Sequence, residues 1–417
     1  MSDSQRPQKT RFKFAAMVGV YFAGTLNDNL YRQCALILAV SGGMAYLQGY
    51  ITILFTLPFI IFAAYAGFLS DRFSKRSVVI GVKLVSLLAY ILGAIGLYLM
   101  SWPIIMITVF ILGIQATVFS PAINGTIPEL YPPDYVVTAN GIMVAAANVA
   151  ILLGIAVAGI VLDAKGAIAG IPLGIGLAAA AGLGIASITL IIALLVSKFP
   201  PASPKAPFPI QGPWESVKTL AQTASDRLLM ISVIAKAFFW FAGSLQILII
   251  LPLGISQFGL NKTMTSALVV IELVGIAAGS LLAPVFSKGP KWYRVLVPAS
   301  FVMAGGMLTM AAVPYLPAFT HKTLVIGALA ILGISGGIFS IPVTSFVQVR
   351  PAPDFKGRMI ASSNFADFAG ILLSGVVFYI LDGMRFKPSN CFLIEGVMVT
   401  ATSFWLMTAL RKGKFND

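Results

Sequence analysis

Read from its first residue, the chain is a succession of long apolar runs separated by short polar breaks. Twelve of the runs reach the ~20 residues that an α-helix needs to cross a bilayer. They fall at about 14–39, 47–69, 78–99, 103–123, 137–162, 173–196, 228–252, 264–287, 294–314, 323–346, 358–381 and 390–410. The pattern predicts an all-α membrane protein of twelve transmembrane helices. The first 13 residues are polar and basic, but the run behind them has spanning length and reads as the first transmembrane helix, not as a cleaved signal. One break is long. Residues 197–226 hold Pro200, Pro201, Pro204, Pro207, Pro209 and Pro213 together with Lys198, Lys205 and Lys218, the composition of a linker. The expected organisation is a six-helix bundle at 1–196, a cytoplasmic Pro-rich linker at 197–226 and a second six-helix bundle at 227–417.

Composition agrees with this pattern. Hydrophobic residues make up 58% of the chain and charged residues 10%, against ~25% charged in soluble domains. Mean hydropathy is +0.94. The net charge of +14 would suggest a nucleic-acid partner in a soluble protein. Its placement suggests topology instead. With the N-terminus inside, Lys165, Lys262, Lys322, Arg385 and Lys387 fall outside, and Arg32, Lys83 and Lys236 fall within spans. The remaining 20 of the 28 Lys and Arg lie on the cytoplasmic side, beside anionic headgroups. Both termini are therefore expected in the cytoplasm, and no nucleic acid is expected as a partner. Cys34 and Cys391 lie in apolar runs without metal spacing and read as buried thiols; the single histidine, His321, falls in a short loop. No metal site and no cofactor are expected.

The two halves repeat. Phe22-Ala23-Gly24-Thr25-Leu26-Asn27 matches Phe241-Ala242-Gly243-Ser244-Leu245-Gln246 at an offset of 219. Ile151-Leu152-Leu153 matches Ile371-Leu372-Leu373, Phe119-Ser120 matches Phe339-Ser340 and Pro133-Asp134 matches Pro353-Asp354, all at 220. Six spans separate the mates, so both copies share one orientation, as in transporters built from parallel repeats.

Polar residues inside the spans are the candidate chemistry, since a charge at the bilayer centre costs at least ~2.5 kcal/mol. Span 1 carries Asn27, Asp28, Asn29, Arg32 and Gln33. Asp28 and Arg32 share a helix face and can neutralise each other; Asp28 is equally a candidate for substrate binding or coupling. Lys236 in span 7, one turn before Trp240, could pair with Asp28 or Glu272, bind an anionic headgroup or snorkel to the surface. Glu272 in span 8 and Asp367 in span 11, which shares a face with Asn364, are candidate proton carriers. Glu395 falls toward the outer end of span 12 and reads as interfacial. Asn124, Asn140, Gln115, Asn148 and Gln246 are candidate cavity-lining residues, or helix–helix hydrogen bonds of ~0.6 kcal/mol each.

The loop after span 2 reads Gly67-Phe-Leu-Ser70-Asp71-Arg72-Phe-Ser74-Lys75-Arg76. It resembles the G-x3-D-R-x-G-[RK]-[RK] motif of the major facilitator superfamily, with Ser74 in place of the second Gly. Asp71 can accept from free N–H groups at a helix start, and the resemblance implies that this start is span 11, which would make Gly67, Asp71, Arg72, Lys75 and Arg76 a gate. The plain alternative is topology charge.

The run Phe119-Ser-Pro-Ala-Ile-Asn-Gly-Thr-Ile-Pro-Glu129-Leu with Thr138-Ala-Asn140-Gly resembles the SPA-x-x-G…E-L…A-N-G signature of the bacterial lysophospholipid transporter family. Asn27-Asp28-Asn29 resembles that family's G-D-N. Phe239-Trp240-x-Ala242-Gly243 resembles its F-W-G-A-G, and Gly336-Gly337-x-Phe339-x-x-Pro342 its G-G-x-F-x-x-P. Two positions depart: Ile123 stands where the family commonly has Lys, and no Arg occurs near Gln246 or Ile247. The resemblance implies a major facilitator transporter of the bacterial inner membrane that moves lysophospholipids between leaflets by alternating access. It implies roles for Asp28, Glu129, Asn140 and Trp240 and a functional link to a separate acyltransferase. The chain is expected to act as a monomer and not as an enzyme. A proton-coupled exporter of a drug or another amphiphile, and a non-transporting membrane scaffold or receptor, are the competing expectations.

Overall fold

In a computed structural model, the described residues are 6–124, 126, 133–168, 170–196, 201, 208, 210–287, 291–351 and 356–412. They are almost wholly helical. The helices are α1 (Arg6–Ser41), α2 (Leu47–Ile61), α3 (Ala63–Arg72), α4 (Lys75–Tyr98), α5 (Trp102–Asn124), α6 (Pro133–Leu162) and α7 (Leu173–Ala193), then α8 (Trp214–Thr223) and α9 (Arg227–Pro252), which ends in a π turn at Leu253–Gln257. They continue as α10 (Lys262–Phe286), α11 (Leu296–Ala312), α12 (Ala318–Val349), α13 (Lys356–Gly383) and α14 (Pro388–Lys412). The one sheet among the described residues is a two-residue antiparallel pair before α7, with Ala167 opposite Pro172 and Ile168 opposite Ile171.

Each predicted span falls on a helix or a helix pair. Ten helical segments are long and apolar enough to cross a membrane, and the α2–α3 pair passes the same test as a unit bent by 54°. The sequence predicts that span as continuous. It breaks at Phe62, one turn after Pro58. The remaining span, α1, is 36 residues long and carries the polar centre. Within the expected linker, Trp214–Thr223 is a helix, with Thr223 Oγ1 3.1 Å from Met359 Sδ. His321, expected in a loop, lies in the first turn of α12. Cys34 and Cys391 are buried thiols, as expected.

The exposed helix faces are apolar, and several of the polar residues within the spans are buried. On α4, Leu84, Leu88, Ile91 and Ile95 are exposed, while Lys83, Ser86 and Tyr90 are buried on the other face. Lipid in place of water explains the pattern.

Two compact units are present. The first comprises 1–37 and 54–213, the second 38–53 and 214–417. In the first, Phe14, Met17, Val20, Val79, Val82, Phe119, Ile123 and Met143 form an apolar cluster. In the second, α10 and α12 pack along a glycine seam, and Leu229, Val233, Val347 and Met359 form a smaller cluster.

Candidate functional site

Asp28 is the centre of the polar network in the first unit. Tyr90 Oη donates to Asp28 Oδ1 at 2.7 Å, and Gln115 Nε2 donates to Oδ2 at 2.8 Å. Ser86 Oγ in turn donates to Gln115 Oε1 at 2.8 Å. Helices α1, α4 and α5 thus meet on one carboxylate. Both Lys83 and Arg32 interact electrostatically with it. The Lys83 ammonium stands 3.7 Å from the centroid of Phe119, and a Cβ on Gly24 would come within 2.7 Å of its Nζ. A side chain at residue 24 would have to displace the end of Lys83, so Gly24 leaves room for the ammonium here. The Arg32 guanidinium lies 4.9 Å from the Phe55 ring centroid and donates to Asn29 Oδ1 at 3.1 Å. Asn27 donates to the Gly182 carbonyl at 2.9 Å, its own Oδ1 buried without a partner. Arg32 shares the charge balance of Asp28 with Lys83, whose part in the site was not read from the sequence. Its signal was present: Lys83, Ser86 and Tyr90 recur at i, i+3 and i+7, a polar stripe on one face of an otherwise apolar helix.

The second unit holds a second network. Lys236 Nζ pairs with Asp367 Oδ2 at 2.7 Å and donates to Ser363 Oγ at 3.2 Å and Asn364 Oδ1 at 3.4 Å. Its partner within the second unit is therefore Asp367, and not Glu272, one of the partners the sequence suggested. Ser363, Asn364 and Asp367 are spaced i, i+1 and i+4, so α13 presents all three toward α9. Asp367 Oδ1 is left without a partner. Lys236→Ala is expected to cost about 3–5 kcal/mol by leaving a buried carboxylate uncompensated. The double substitution Lys236→Met/Asp367→Leu should recover most of that loss, as read by thermal unfolding in detergent.

Glu272 is buried on α10. Glu395 is also buried, at 1% exposure, which corrects its reading as interfacial. It lies on the buried stripe Phe392, Val399, Leu406 of α14, a helical spacing visible in the sequence. Gln246 of α9 is buried beside Glu395. Trp240 is 45% exposed and packs edge-on against Phe239.

Of the loop residues, Gly67 lies in α3, and Arg72 is exposed with its guanidinium 5.5 Å from the Phe68 ring centroid. Lys75 is buried at the first residue of α4. Arg76 donates to the Leu194 carbonyl at 2.7 Å, a cation at the C-terminus of α7. Ser74, standing for the motif's second glycine, is the N-cap of α4 and accepts from Ser77 N at 3.3 Å. Glu129 and the side chains of Asp71, Asn124 and Asn140 lie outside the described residues.

Residues 13–375 match the family model for the Major Facilitator Superfamily. The chain belongs to this superfamily. It is a multi-pass membrane protein of a family of secondary transporters, which are not enzymes. Among similar proteins, the lysophospholipid transporter LplT of Photorhabdus laumondii is 28% identical over 422 residues, covering 98% of both chains. LplT of Salmonella newport is 30% identical over 336 residues, covering 78% of this chain and 77% of that one. Among solved structures, a D-xylose–proton symporter superposes with a TM-score of 0.72 at 15% identity, over 95% of this chain and 96% of that one. A bacterial homologue of the human lysosomal transporter Spinster, inward-facing and occupied, gives 0.72 at 12% identity over 96% of each. These structures establish the major facilitator fold.

Proposed function

We propose that this chain moves lysophospholipids between leaflets of a bacterial inner membrane by alternating access, with twelve spans and both termini in the cytoplasm. The observation that carries the reading is the Asp28 network: one part-buried carboxylate held by Tyr90 and Gln115 and flanked by two cations, Lys83 and Arg32. A zwitterionic head group such as phosphoethanolamine needs an acid for its ammonium and cations for its phosphate. Asp28, Lys83 and Arg32 supply both signs, with Asn27 Oδ1 as a further acceptor. The relatives named as lysophospholipid transporters, similar over as much as 98% of the chain, support the same substrate class.

The family's departures fit this assignment. Ile123 is fully buried in the apolar cluster with Phe119 and Ala122, where a lysine would be costly. Lys83 brings a cation to Phe119 from α4 instead. The Gly67–Arg76 segment and Glu129 are assigned to gating, and the Lys236–Asp367 pair to binding or coupling, with Asn140, Asn364, Trp240 and Gln246 as further lining residues. The product would pass to a separate acyltransferase.

The test is leaflet transfer of fluorescent lysophosphatidylethanolamine in liposomes holding purified protein. Transfer well above that of protein-free liposomes is expected. Background transfer by folded, monodisperse protein would move the assignment to export of another amphiphile.

A further inference from the structure

The N-terminal turns of α10 and α12 enclose a cavity of 470 Å³ that shares no lining residue with the Asp28 or Lys236 networks. Its origin is the glycine seam. Gly275 and Gly333 bring the two backbones together, and a Cβ on Gly275 would stand 2.9 Å from the Ala330 carbonyl oxygen. The cavity is the wedge left between the helices nearer their starts. Phe258 and Leu260, from the segment after the π turn, complete its lining.

The wedge is apolar along its length and basic at one end. Met264, Leu268 and Ile271 line it from α10 at i, i+4 and i+7, and Val325 and Ile326 line it from α12. The α10 stripe runs for ~10 Å along the helix axis. At the N-terminal end stand His321 and Lys322. His321 is fixed as a wall: its Nε2 donates to the Leu316 carbonyl at 2.9 Å, and its ring centroid lies 5.8 Å from that of Phe258. Lys322 is exposed. The starts of α10 and α12 lie at this same end and add positive partial charge. No acid lines the cavity. Between Asp226 and Asp354 the sequence holds one acid, Glu272, and it is buried outside the lining. Tyr315 and Phe319, 76% and 85% exposed, flank the start of α12 and are side chains of the kind found at head-group level.

We infer that this wedge binds a phospholipid with a net negative head group, one acyl chain lying between α10 and α12 and the phosphate at Lys322. A zwitterionic head group would leave its ammonium without an acid, whereas the Asp28 network holds both signs. A soluble anion would leave the apolar stripe uncovered. The bound chain fills the space between the helix starts and holds them together. With both termini in the cytoplasm the lipid belongs to the outer leaflet. That leaflet rests on the proposed topology; the site itself rests on neither the topology nor the lysophospholipid reading.

The test titrates the full-length protein in detergent with phosphatidylglycerol and with phosphatidylcholine of the same chains, and reads bound lipid by native mass spectrometry. One phosphatidylglycerol per chain should bind about fivefold more tightly than phosphatidylcholine, the ratio expected of one lysine at a charged membrane surface. Lys322→Gln should bring the two lipids to parity. Lys387→Gln, at an exposed loop cation outside the lining, should keep the preference. Ala267→Phe, which places a ring on the lining, should weaken both lipids. Phosphatidylglycerol should also raise the thermal midpoint of the wild type and leave that of Lys322→Gln where phosphatidylcholine leaves it. Equal affinities in the wild type, or a preference that survives Lys322→Gln, overturn the inference. Binding that ignores Ala267→Phe and is displaced by glycerol phosphate alone overturns it in favour of a surface anion site. Gel filtration verifies folding, and the two variants act on opposite ends of the lipid.

Discussion

Asp28→Asn protein is expected to insert and fold but to transfer lysophospholipid no faster than protein-free liposomes. Asparagine keeps the shape and loses the charge. Tyr90 and Gln115 both donate to Asp28, and an amide can accept at one position only. Lys83 and Arg32 meanwhile lose their shared counter-charge. Removing one partner of a buried ionic group costs about 3–5 kcal/mol, so the thermal midpoint should fall by roughly 5 °C or more. The decisive comparison is Asp28→Asn/Lys83→Met, which removes a charge of each sign. Its midpoint should return toward wild type while transfer stays at background. Recovery of transfer in the double variant would show that Asp28 serves only to neutralise Lys83.

The second large effect is steric. Helices α10 and α12 touch through Gly275 and Gly279 on one side and Gly333 and Gly337 on the other. A Cβ on Gly279 would meet the Ile334 carbonyl oxygen, and one on Gly337 the Ile276 carbonyl oxygen. These obstacles are backbone, which cannot rotate away as a side chain can. Gly279→Val and Gly337→Val should therefore cost about 3 kcal/mol or more, at the upper end of overpacking, and leave little monodisperse protein. Gly305 and Gly327 are the controls. A Cβ at either finds no atom within 4 Å, and Gly→Ala there should be neutral or stabilising by up to ~1 kcal/mol. Similar midpoints for Gly279→Val and Gly327→Ala would refute the tight seam. Thermal unfolding in detergent, followed by dye binding to the cysteines exposed on unfolding, reads both sets.

Much of this protein is legible in its sequence because bilayer constraints are local and one-dimensional. A span must be apolar for ~20 residues, whatever it packs against. The all-helical, multi-pass membrane class follows from such runs. So does the choice of Asp28, Lys236, Glu272 and Asp367, since a charge in a span is conspicuous by itself. Partner choice is different. Asp28 gathers Tyr90 and Gln115 from 62 and 87 residues away, and Lys236 of α9 finds Asp367 on α13. No spacing along the chain encodes those distances. Glu395 shows the same limit: hydropathy placed it near a span end, while the packing of α14 turned it inward. The sequence by itself determined which residues are costly to bury. Only the tertiary structure decided which of them meet, because helix rotation and crossing are set by side-chain packing between elements.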